Sequence, residues 1–199
     1  MSDSMKYGST GSNDCYSGTD VLKNKLGMKD ANILEEHETA ITYIRQLELI
    51  QDPINGSFDL THLQKIHRHI FRDIYDFAGK IRVVGLSKGT TPFCNPPYIE
   101  QNAEKLFNEL QNENLSPGIS KKALASRLAY YMSEINIIHP FREGNGRTIR
   151  EFIHCLALHC GYELDWANVD ADKLLTASIN SVTNTDSLTQ CIYKTLNKN

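Results

Sequence analysis

Twelve consecutive residues hold most of the chemistry this chain can offer: His139-Pro140-Phe141-Arg142-Glu143-Gly144-Asn145-Gly146-Arg147-Thr148-Ile149-Arg150. His139 is the one side chain among them with an ordinary pKa near neutrality, so it can take a proton from an incoming hydroxyl. Gly144 and Gly146 permit backbone conformations that other residues resist. Successive N–H groups can then converge in a nest at the start of a helix, and such a nest binds anions. Arg147 and Arg150, three apart, flank that pocket from the first helical turn. Two cations, a nest and a helix dipole together point to a polyphosphate rather than a single carboxylate. Glu143 would repel that phosphate unless Mg2+ stands between them, and Mg2+ typically takes one or two carboxylates plus phosphate oxygens. Phe141, among polar neighbours, reads as the anchor of the loop in the core. The plain alternative is a glycine-rich connector between helices. A Gly-Asn-Gly-Arg run alone would not exceed it; the concentration of His, Glu, two Gly and two Arg in twelve residues favours chemistry.

Such a loop needs rigid supports, and the flanking sequence supplies them. A helix is predicted from about Ser120 to Ile138 and another from about Arg147 to Cys160, ended by Gly161. Upstream, Asp30 to Ile50 reads as a helix with Leu34, Ile41, Ile44 and Leu47 near its core face. A second helix, capped by Asp59, carries the stripe Leu60, Leu63, Ile66, Ile70, Phe71, Ile74 and Phe77, with Gly79 as its stop. Ile81–Val84 reads as a strand, Gly85 to Thr91 as a turn, and Pro92–Cys94 as the returning strand of a β-hairpin. Further helices are expected over Pro97–Asn114, Ala171–Ser181 and Asp186–Leu196. The fold class is therefore mainly α, with this hairpin as its only notable β element.

Composition narrows the function classes. A net charge of −3 excludes strong global attraction to nucleic acid or to an anionic membrane. No apolar run approaches the roughly 20 residues that span a bilayer, and the Ser- and Gly-rich start has no signal-peptide core. Residues 1–18 read as an irregular, partly mobile segment, and 19–199 as one domain. Five cysteines, with no CxxC pair, suit a reducing cytoplasm. His62, His67 and His69 do not share a helix face, so packing is favoured over a metal site. The same holds for Cys155 and His159 in their apolar helix, against a structural zinc.

The segment 139–150 matches the complete Fic motif, HxFx[DE]GNGRxxR, without a departure, and the order of elements around it also resembles a Fic domain. Asn13-Asp14 and Val21 to Gly27 are similar to the start of short bacterial Fic toxins that work with a separate small antitoxin. The resemblance implies a protein adenylyltransferase that moves AMP from ATP to a hydroxyl side chain of a target protein. It makes His139 the general base and Glu143 the Mg2+ ligand at the α- and β-phosphates. Gly144 to Gly146, with the Asn145 side chain, would cradle the phosphates, Arg147 would contact the β-phosphate region and Arg150 the γ-phosphate. The hairpin at about 81–94 resembles the Fic flap, with Ile81, Val83, Lys88, Pro92 and Phe93 as target-binding residues that pair with an extended segment. Relatives with Lys in place of Gly146 transfer the γ-phosphate, so Gly146 implies AMP transfer.

The resemblance extends to partners. No Glu in this sequence has Ser or Thr four residues before it, so the inhibitory [ST]xxxE[GN] helix of many Fic proteins is expected in trans, on an antitoxin. Similarity to the short toxins implies a bacterial cytoplasmic protein acting on a target such as DNA gyrase or topoisomerase IV, with no direct contact to nucleic acid or membrane. Lys80, Arg82 and Lys88 flank the flap and are expected to steer an acidic target, and Asn180 is within the region that would reach adenosine. Two rival readings remain at this point: transfer of UMP, GMP or phosphocholine, and a non-catalytic binding module on the same fold.

Overall fold

The computed structural model describes residues 14–89 and 91–198. Among them seven helices carry the fold: α1 (Ala31–Gln51), α2 (Leu60–Phe71), α3 (Ile99–Glu113), α4 (Lys121–Ile138), α5 (Asn145–His159), α6 (Ala171–Asn180) and α7 (Asp186–Thr195). Two short antiparallel ladders accompany them: β1 (Ser87–Lys88) with β2 (Thr91–Pro92), and β3 (Tyr162–Leu164) with β4 (Leu196–Lys198).

Local chemistry sets most of the helix boundaries. Asp30, Asp59, Ser120 and Asp170 each accept a hydrogen bond from the first turn of the helix they precede. Asn114 in the left-handed region follows α3, and Gly161, with φ 82°, follows α5. The centre of the molecule is α4, which packs against α5 and α7, while α2 packs against α5. Leu124, Leu128 and Tyr131 of α4, and Ile149, Phe152 and Ile153 of α5, are fully or almost fully buried. The loop 139–144 is thus suspended between the two most buried helices.

Three expectations are corrected. The buried face of α1 is Leu34, Glu38, Thr42 and Leu49, whereas Ile44 and Leu47 are 57% and 40% exposed. Apolar periodicity misplaced this face because it is partly polar, a consequence of what it touches in the loop. The hairpin lies at Ser87–Pro92 and is only two residues long on each side, with Ser87 opposite Pro92 and Lys88 opposite Thr91. Ile81–Val84 is not a strand: it runs alongside the loop, with the Arg82 N–H donating to the Pro140 carbonyl at 2.9 Å. The hairpin is not the only β element either, because β3 and β4 pair at the chain's far end; three-residue strands give too little alternation to be read in advance.

Residues 1–13 of the expected mobile segment lie outside the described residues. From Asp14 the chain is tied down, with Tyr16 N–H donating to Val21 O at 2.9 Å and Lys23 N–H to Asp14 O at 2.7 Å. No helix among the described residues is long and apolar enough to cross a membrane.

Candidate active site

The last residue of α4's path is the first of the chemistry. His139 caps α4 in the left-handed region, at φ 49° and ψ 62°, with its N–H still donating to Ile135 O at 2.9 Å. This turn reverses the chain and aims the ring back over the helix end. Nδ1 lies 3.2 Å from the Asn136 carbonyl, which requires a proton on Nδ1 and makes Nε2 the basic nitrogen. Phe93 stacks on the ring at 3.7 Å between centroids. Burial, opposed only in part by the Asn136 carbonyl, pushes the His139 pKa down to about 3, so the imidazole is neutral at any physiological pH. A neutral ring is the form a general base must have.

Next along the chain, Phe141 is fully buried, stacked 3.9 Å from the His67 ring; the expected anchor is in place. His67 is itself fixed at both nitrogens. Its Nε2 donates to the Glu143 carbonyl at 3.0 Å, and its Nδ1 accepts from Gly79 N–H at 2.7 Å. Burial lowers its pKa to about 4, keeping it neutral. His62 is likewise buried, with Nε2 at 2.8 Å from Ile54 O, which is the packing role its spacing predicted.

Asn145 staples the loop shut. Its Oδ1 accepts from Phe141 N–H at 2.9 Å and its Nδ2 donates to Phe141 O at 2.8 Å. Both side-chain polar atoms of Asn145 are therefore engaged within the loop. Gly144 has φ 77°, and a Cβ there would lie 2.1 Å from Phe71 Cζ, so glycine is required twice over. Gly146 is different. Its φ is not positive, and a Cβ would meet only Arg150 Nη1 at 3.4 Å. Gly146 is exposed in the first turn of α5, so its contribution is bare backbone facing the cavity rather than an unusual conformation. Helix α5 starts at Asn145, two residues earlier than expected, and no side chain caps it. The N–H groups of Asn145, Gly146 and Arg147 consequently have no intrahelical acceptor and present a positive helix end.

That end opens on a cavity of about 850 Å³. His139, Gly146, Arg150 and Asn136 form its polar side, and Trp166, Leu174, Leu175 and Ile179 its apolar side. Arg150 is mostly buried, and burial with the neighbouring Arg147 charge lowers its pKa. Arg147 turns the other way, to α1: it donates to the Glu38 carboxylate and to Thr42 Oγ1, the latter at 3.0 Å, over the face of Phe71. Glu38 also accepts from the Tyr75 hydroxyl. Glu143 is 8% exposed and accepts from Gly144 N–H at 2.9 Å. No group of three or more His, Cys, Asp or Glu able to hold a metal occurs among the described residues. The Glu143 carboxylate, 3.8 Å from Arg147 and next to an anion-binding helix end, nevertheless fits Mg2+, whose remaining ligands would be phosphate oxygens and water.

Of the expected flap residues, Lys88 and Phe93 reach the cavity. Val83 is 85% exposed, Pro92 is exposed and Ile81 half-buried. Asn180 lines the cavity from α6. Arg82 does not face solvent as a steering charge: it is 4% exposed and bound to main-chain carbonyls. Glu38, Thr42, His67 and the apolar α6 wall were missed as parts of the site, and Arg82 was assigned a different role. The one signal available in advance was polar residues interrupting apolar helix faces.

The chain matches the Fic/DOC family over residues 57–157. It is 44% identical to the protein adenylyltransferase VbhT of Bartonella schoenbuchensis over 86% of this chain, corresponding to 36% of VbhT's length. A probable protein adenylyltransferase of Sinorhizobium fredii, y4lH, is 42% identical, with 84% of this chain and 86% of that one aligned. The crystal structure of BepC from Bartonella tribocorum, with AMPPNP bound, superposes with a TM-score of 0.85 at 25% identity, covering 94% of this chain and 97% of that one. Sequence, loop and overall shape agree: the chain belongs to the Fic/DOC family and falls among its protein adenylyltransferases.

Proposed function

We propose that this chain transfers AMP from ATP to a hydroxyl side chain of a target protein. The observation that carries the reading is the placement of a neutral His139, with Nε2 basic, in the same cavity as Gly146, Arg150 and the open end of α5. The apolar α6 wall fits an adenosine, and the helix end with Arg150 fits the phosphates. In the reaction the target oxygen bonds to the α-phosphorus, the α–β bridging bond breaks, and pyrophosphate leaves. His139 Nε2 receives the hydroxyl proton. Backbone N–H groups at Asn145–Arg147 and the Arg150 guanidinium stabilise the charge that develops on the phosphate oxygens. Glu143 would hold Mg2+, which would supply charge neutralisation at the phosphates. Lys88 and Phe93 bring the flap to the cavity edge, where an extended target segment adds to the hairpin.

The finer reading is a toxin restrained by an antitoxin in the bacterial cytoplasm. Its support is the lack of any [ST]xxxE[GN] segment in this sequence. A type II topoisomerase, as target, rests on resemblance to short Fic toxins alone. The test is ATP labelled at the α-phosphate with Mg2+ in a bacterial lysate, wild type against His139→Ala, with a γ-labelled control. Label from the α-position only, lost in the variant, is the expected result, and the labelled band identifies the target. Transfer from the γ-position would replace AMP transfer with kinase chemistry. No transfer from either would favour another phosphate-linked donor or a binding module.

A further inference from the structure

We propose that Arg82 is a positioning residue for His139, and that it joins the flap to the catalytic loop. A guanidinium carries five N–H donors and no acceptor, and burying it is costly unless those donors are filled. Arg82 is 4% exposed, and among the described residues no carboxylate pairs with it. Its partners are main-chain carbonyls. Nε donates to His139 O at 2.7 Å, Nη1 to Val84 O at 2.7 Å, and Nη2 to Cys94 O at 2.6 Å and Ile138 O at 3.3 Å. Its own N–H donates to Pro140 O at 2.9 Å.

These four carbonyls belong to two functional parts. Ile138 and His139 end α4, where carbonyls lack helical donors and carry the negative end of the dipole. Val84 and Cys94 are the two roots of the flap, and Cys94 N–H also donates to Ile137 O at 3.1 Å. His139 holds a left-handed backbone, which is unfavourable for a non-glycine residue and must be held by its surroundings. The bond from Arg82 Nε to the His139 carbonyl holds it. A hairpin of two residues per strand has little stability of its own, so its position is set at its roots. Phe93, next to one root, stacks on the His139 ring. A segment that pairs with the flap therefore acts on the same guanidinium that orients the base. Arg82 lines no part of the nucleotide cavity, so this role is separate from binding ATP.

The inference rests on the AMP-transfer reading. Its test is Arg82→Lys, which keeps the charge but replaces a planar fork with a single ammonium that cannot reach all four carbonyls. Three readouts are taken: affinity for a non-hydrolysable ATP analogue, α-label transfer to lysate proteins, and the NMR signal of the 13C-labelled His139 ring. The expected result is analogue affinity within about threefold of wild type, transfer reduced about 10²-fold, and a displaced His139 signal. Unchanged transfer, or loss of analogue affinity in step with transfer, would overturn it, the latter reducing Arg82 to general support of the fold. If wild type transfers no label, the AMP reading has failed, while the His139 signal still decides the role of Arg82. Should Arg82→Lys not fold, residues 87–92 are replaced by two glycines in a chain that keeps Arg82. A shift of the His139 signal then supports the coupling, and an unmoved signal refutes it.

Discussion

The two ends of the loop 139–144 are held by side chains of opposite charge, and they are held differently. At the α4 end, Arg82 grips backbone carbonyls, including that of His139. At the α5 end, Glu38 grips a side chain, Arg147, which is part of the motif. Each charge also suits its helix: a cation at the carbonyl end of α4, and a carboxylate near the amide end of α5. The difference lies in what mutation can remove. Backbone carbonyls persist whatever residue occupies 84, 94, 138 or 139, so those four side-chain bonds depend on Arg82 alone. The other end depends on both partners, and it leaves a buried charge behind when either is lost.

The largest expected effect is on the span between the two ends. Gly144→Ala combines a positive φ with a Cβ 2.1 Å from Phe71 Cζ. It should cost about 4 kcal/mol, read as a lowered urea midpoint. A cost below about 1 kcal/mol would mean that Phe71 yields and the loop is less tightly seated than its contacts imply. Glu38→Ala follows. It removes the nearer carboxylate from the Arg147 guanidinium, which keeps Thr42 and, at 3.8 Å, Glu143, and it leaves the buried Tyr75 hydroxyl without its acceptor; it should cost about 3 kcal/mol. Adding Arg147→Met to it should recover most of that loss, and failure to do so would break the contrast between the ends. Asn145→Ala removes two bonds to the Phe141 backbone inside the loop and should cost about 2 kcal/mol by the same urea measurement.

Acid should weaken the loop at both ends, through His139 at the end of α4 and His67 beside Glu143. His139 and His67 titrate at about 3 and about 4 in the folded chain, against 6.5 ordinarily. Between those values the unfolded chain binds more protons, so stability is full above pH 6.5 and falls as pH drops towards 4. Each histidine contributes a slope of at most about 1.4 kcal/mol per pH unit. Urea midpoints at pH 7.5 and 5.5 measure the slope, and His139→Ala should flatten it; an unchanged slope would place the effect elsewhere. The smallest effect sharpens the α5 end. Ile44→Lys lies on α1, the helix that carries Glu38, but on its solvent face. It should change stability by less than about 0.5 kcal/mol, and a larger loss would mean that this face is covered in the folded chain.

What could be read in advance divides along physical lines. His139, Glu143, Gly144, Gly146 and Arg150 stand out because their types and close spacing point to proton transfer and anion binding. The start of α2 was legible because its Asp59 cap is a local hydrogen bond. Ile44 and Leu47 misled because the buried face of α1 is chosen by what lies opposite it, and Glu38 and Thr42 lie opposite Arg147. The hairpin was expected several residues early because apolar alternation at Ile81–Val84 does not reveal that Arg82 is drawn into the α4 end. By itself, then, the sequence determined the loop and its flanking helices, carried by neighbours in the chain, while the reaction class came from resemblance to the Fic family. Only the tertiary structure decided that Asn145 closes the loop, that Arg147 faces α1 while Arg150 faces the cavity, and which distant residues, Glu38, His67 and Arg82, hold the loop's shape. Those contacts span 57 to 109 residues along the chain, and no local spacing rule encodes them.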